Sequence, residues 1–116
     1  MFTEIVIGEK SYKLRLTTKA SVTLEKALGY NPIAMLMEID NGTMPKLGDL
    51  LVMLQVMLQT YHHGYTLDKV YELFDEYVED GHGMFDLIPV FVEVFQQSGY
   101  LAAGGNKDNE GETEKN

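Results

Sequence analysis

Three histidines and a run of carboxylates are the side chains of this chain that could do acid–base or metal chemistry. His62 and His63 are neighbours, so on a helix their side chains point about 100° apart. They cannot share a metal in the i, i+4 manner. Both fall near the end of a helix, where partial positive charge is favoured by the dipole. His82 lies in Gly81-His82-Gly83, a loop. All three read as surface or capping residues, with a metal site of His82 and neighbouring acids as the rival. Neither HExxH nor an acidic calcium loop is present. The carboxylates cluster: Asp68 with Glu72, Glu72 with Glu76, and Asp75 with Glu79 are like-charge i, i+4 pairs. Each costs a helix about 0.2–0.5 kcal/mol. They make a solvated face or a docking face for a basic partner. Acid–base catalysis needs burial to spread the pKa values of two carboxyls, and the spacing predicts exposure. Ser11, Ser21 and Ser98 sit in no nucleophile motif, and the glycines form no phosphate-binding loop.

The elements that must position these groups follow from punctuation and periodicity. Residues 2–7 are rich in β-branched side chains, and residues 12–16 alternate Tyr12, Leu14, Leu16 with Lys13, Arg15. They predict a β-hairpin joined by the loop Gly8-Glu9-Lys10-Ser11. Thr17 or Thr18 caps a helix with Ala20, Leu24, Ala27 and Leu28 inward, closed by Gly29. Asn31-Pro32 opens a short helix carrying Ile33, Leu36 and Met37. Residues 47–61 predict a helix apolar on almost every side, hence central to the domain or to an interface. Thr66 caps a helix ended by Gly81, with the apolar stripe Leu67, Val70, Tyr71, Phe74, Tyr77, Val78. The last helix covers residues 84–98 with Leu87, Ile88, Phe91, Val92 and Phe95 inward, and Pro89 makes it start late or kink. The fold class is therefore α+β, mainly α: an N-terminal hairpin followed by about five helices in a small bundle.

At 116 residues the chain has the length of one domain. Residues 1–103 read as a single globular domain. Residues 104–116 contain no apolar side chain and read as a disordered acidic tail. Net charge is −9, which argues against binding nucleic acid or an anionic membrane. The chain lacks cysteine, so disulfides and thiolate chemistry are excluded. No secretory signal or membrane-spanning run is expected. Met35, Met37, Met44, Met53 and Met57 fall within one third of the chain, and flexible thioethers suit either a core or an adaptable binding surface.

The order of features resembles a known family. An N-terminal Gly8-x-x-x-Tyr12-x-Leu14 hairpin precedes Thr17-Thr18-x-Ala20, Leu24-Glu25 and Leu28-Gly29. A short Pro32-containing helix, an apolar helix, a Thr66-Leu67-Asp68 helix start and an acidic Gly/Asn-rich tail follow. Over about residues 1–101 this resembles the tail assembly chaperones of long-tailed bacteriophages and prophages of Gram-positive hosts. The resemblance implies a non-enzymatic protein without cofactors. It would bind the tape measure protein, keep that long helical chain soluble, and help recruit the tail tube protein. It would act in the host bacterial cytoplasm and be absent from the mature virion. Many such proteins are also made in a longer, frameshifted form, and the tail after Gly104 would be where the forms diverge.

The partner-binding candidates are Met35, Met37, Met53 and Met57, and the acids Asp68, Glu72, Glu76 and Glu79. Excess apolar surface on the central helix predicts a groove or a homo-oligomer face. The hairpin edge is a further candidate contact. Two rivals stand beside the chaperone: a small structural head–tail connector or tail component whose hairpin completes an intersubunit sheet, and a small enzyme with a cryptic carboxylate or histidine site.

Overall fold

The computed structural model describes residues 1–101. The predicted tail at residues 104–116 lies outside the described residues. Two strands, β1 (Thr3–Ile7) and β2 (Lys10–Leu14), are followed by α1 (Thr18–Leu28), α2 (Pro32–Asp40), α3 (Leu47–Leu58), α4 (Leu67–Glu79), a 3-10 turn (Met84–Asp86) and α5 (Leu87–Gln96). The fold is α+β, mainly α, as the periodicities predict.

The hairpin turns in two residues, not four. Gly8 adopts φ +65°, a conformation open to glycine at little cost, and a two-residue turn matches the twist of the flanking strands. Pairing therefore begins at Ile7 opposite Lys10 and ends at Thr3 opposite Leu14. On the outer edge of β2, facing away from β1, the Arg15 N–H donates to the Met57 carbonyl at 3.0 Å, near the end of α3. Thr3, Ile5, Ile7, Tyr12 and Leu14 form the buried face of the hairpin, and Glu4, Val6, Ser11 and Lys13 the exposed one.

Helix starts follow their caps. Thr17 Oγ1 accepts the Ala20 N–H at 3.1 Å, Asn31 Oδ1 accepts the Ile33 N–H at 2.9 Å, and Thr66 Oγ1 accepts the Lys69 N–H at 3.2 Å. Each bond satisfies an amide that has no partner inside its own helix. α5 starts late, at Leu87, so Pro89 falls in the first turn, where no intrahelical bond is lost. α3 ends at Leu58, three residues before the predicted stop.

α3 is the centre of the domain. Leu50, Met53, Leu54, Met57 and Leu58 have no exposed surface, because α1, α4 and β2 pack around this helix. Leu24 of α1, Val70 of α4, and Leu87, Phe91 and Phe95 of α5 complete the core. The inward faces differ from expectation at their margins. On α4, Leu73 is buried while Tyr71 and Val78 are exposed. On α1, Ala27 is exposed. On α5, Val94 is buried while Ile88 and Val92 are half-buried. No described helix is long and apolar enough to cross a membrane.

Candidate functional site

The structure divides the methionines. Met35, Met53 and Met57 are buried in the core, so in this conformation they offer nothing to a partner. Met37, one residue round from the buried face of α2, is 64% exposed. Most of the apolar surface of α3 is buried internally; Leu47 is exposed and Val52 half-buried at its margin.

Two of the three histidines have structural partners, and His63 is exposed. His62 Nε2 accepts the Lys13 N–H at 2.9 Å, which places the ring proton on Nδ1. Its ring also sits edge-on to Tyr12 and Tyr65. Burial, then the nearby Lys13 charge, lowers the His62 pKa from its ordinary value. His82 stacks on Tyr77 with ring centroids 4.3 Å apart. No three His, Asp or Glu side chains among the described residues come together as a metal site.

Several tyrosines are likewise held neutral. Tyr30 donates to Asp49 Oδ2 at 2.8 Å, and burial followed by that carboxylate pushes its phenol up to about 12. Tyr12 also rises to about 12, from burial first and then from Tyr65 and Glu76. Tyr100, beyond α5, reaches back to α1 and donates to Glu25 at 2.7 Å. The Tyr30–Asp49 pair lines an open cleft of about 360 Å³ with Met35, Met44 and Lys46.

The acids of α4 separate into two groups. Asp80 Oδ2 accepts the Gly8 N–H at 2.6 Å, and the Glu76 carboxylate lies so close to Gly8 that a Cβ there would collide with it. Glu76, predicted as partner-binding, is thus turned to the hairpin. Asp68, Glu72, Asp75 and Glu79 are exposed on the flank of the helix next to Tyr71; Glu72 also borders a cleft with Lys69 and Glu76, and Glu79 one with the hairpin turn. At 100° per residue they form a band beside Tyr71 and Val78, which are 44% and 48% exposed. Leu67 and Phe74, both half-buried, continue this apolar strip down toward the core. Sequence periodicity places Tyr71 and Val78 in the apolar stripe but reads the whole stripe as covered. The stripe is wider than the surface α3 offers it.

Fold and site together define a small α+β, mainly helical domain in which one amphipathic helix presents exposed apolar and acidic groups side by side. The chain belongs to a family of unknown function (DUF6096), whose model matches residues 2–116. No curated protein and no solved structure matches it.

Proposed function

We propose that this protein is a non-enzymatic tail assembly chaperone of a long-tailed phage or prophage. It binds the tape measure protein and assists addition of the tail tube protein. It works in the host cytoplasm and leaves no copy in the finished virion. The observation that carries this reading is the exposed apolar strip of α4 beside four exposed carboxylates. A holdase for a helical client needs adaptable apolar surface together with strong self-solubility. The agreement of the element order, hairpin then five helices, with the resemblance in the sequence adds support. The test is co-expression with a tape measure protein: the soluble fraction of the client should rise several-fold, and an unchanged fraction across client fragments of different length overturns the reading.

A structural virion subunit is the second reading, and the hairpin favours it. His62 and the Met57 carbonyl occupy the outer edge of β2, while the outer edge of β1 has no strand beside it among the described residues. Such an edge could complete an intersubunit sheet. Mass spectrometry of purified particles separates the two, since a connector is present and a chaperone absent.

A further inference from the structure

The outer side of α4 combines two features that usually exclude one another. Tyr71 and Val78 lie two turns apart on one line of the helix, about 10 Å from each other along its axis, and both are exposed. Leu67 and Phe74 border that line on its core side. Asp75, Asp68, Glu79 and Glu72 border it on the solvent side. Phe2, by contrast, is covered by the Lys13 ammonium at 4.7 Å from its ring.

We propose that this strip of α4 is the docking surface for a basic amphipathic helix, one that lays an apolar stripe along Leu67, Tyr71, Phe74 and Val78 and sets Lys or Arg against Asp68, Asp75 and Glu79. Charge complementarity selects the occupant. A two-fold contact of this face with itself would set acid against acid, and cations supplied by a partner relieve the i, i+4 repulsion of Asp75 with Glu79. The exposed strip spans about three helical turns, so the matching segment is about 11 residues long. Naming the tape measure protein as the carrier of that segment rests on the chaperone reading; the chemistry of the surface does not.

The probe is a labelled 18-residue helical peptide of leucine and lysine, with lysines flanking the leucine stripe, titrated against the full chain by fluorescence anisotropy. A matched peptide with glutamate in place of lysine is the control. Tyr71→Ser with Val78→Ser should weaken binding at least tenfold. Asp75→Asn with Glu79→Gln should weaken it about fivefold while raising the melting temperature, a combination no folding defect produces. Glu38→Gln with Asp40→Asn, an equal change of charge on α2, should leave affinity within twofold. Equal affinity for all variants, equal binding of the glutamate peptide, or no binding of the lysine peptide overturns the proposal. In co-expression, wild-type chain that solubilises the client and a Tyr71→Ser/Val78→Ser chain that does so equally would overturn the docking site and leave the chaperone reading standing. A wild-type chain without effect overturns the chaperone reading, and the peptide titration still decides the surface.

Discussion

His62 accepts the backbone N–H of Lys13 at 2.9 Å, and this bond ties the hairpin to the segment between α3 and α4. Together with the bond from Arg15 to the Met57 carbonyl, it occupies the outer edge of β2 at Lys13 and Arg15. An acceptor role requires the neutral ring, so protonation of His62 turns the clasp into two opposed donors.

The chain should therefore weaken in mild acid. His62 has its pKa lowered from 6.5 by burial and then by Lys13. Between the folded and unfolded values the unfolded chain binds more protons, so stability from this group is complete above about pH 6.5 and declines as pH falls below it. His62→Ala should cost about 1 kcal/mol at pH 7.5 and flatten the decline. Urea unfolding from pH 5 to 7.5 checks both; a parallel decline in the variant would contradict the assignment.

Alkali should act through the phenols. Tyr30, held neutral by burial and by Asp49, titrates near 12 instead of 10.0. Its contribution is intact below pH 10 and lost as pH rises toward 12. Tyr30→Phe should cost about 1 kcal/mol at pH 8 and lessen the loss of stability between pH 9 and 11.5. Ultraviolet titration of the phenols, with and without Tyr30, provides the independent readout.

Gly8 sits in the left-handed region against the Glu76 carboxylate. Gly8→Ala should destabilise by more than about 1 kcal/mol through strain and collision together. Adding Glu76→Ala removes the collision but not the strain, so the double variant should recover part of the loss. A double-mutant cycle in denaturant measures the coupling; strict additivity would place the cost in the backbone alone.

The methionines should divide by burial. Met57, with no exposed surface, should cost about 2–5 kcal/mol when cut to alanine. Met37, largely exposed, should stay within about 0.5 kcal/mol. Thermal unfolding of Met57→Ala and Met37→Ala makes the comparison, and a large loss for Met37 would mean that its surface is covered in solution.

Much of the local architecture is legible in the residues alone. Thr17, Asn31 and Thr66 open their helices where predicted, because a cap acts on amides two or three residues away. Gly29 closes α1 at φ +83°, and Pro89 delays α5, because both act on the backbone at their own position. The apolar run in residues 47–61 marks the central helix, since a helix greasy on all sides has nowhere else to go. What no pattern within one segment could supply is which flank of an amphipathic helix another element reaches. Leu73 and Tyr71 are equally plausible members of the α4 stripe, and only the position of α3 decides that the first is buried and the second exposed. The same holds for Met35 against Met37 on α2. His62 reads as a cap from its neighbours, yet its partner is Lys13, which the hairpin register brings to it from 49 positions away. Short-range chemistry set the elements; long-range packing set the surfaces they leave open, and the candidate docking strip is one of those surfaces.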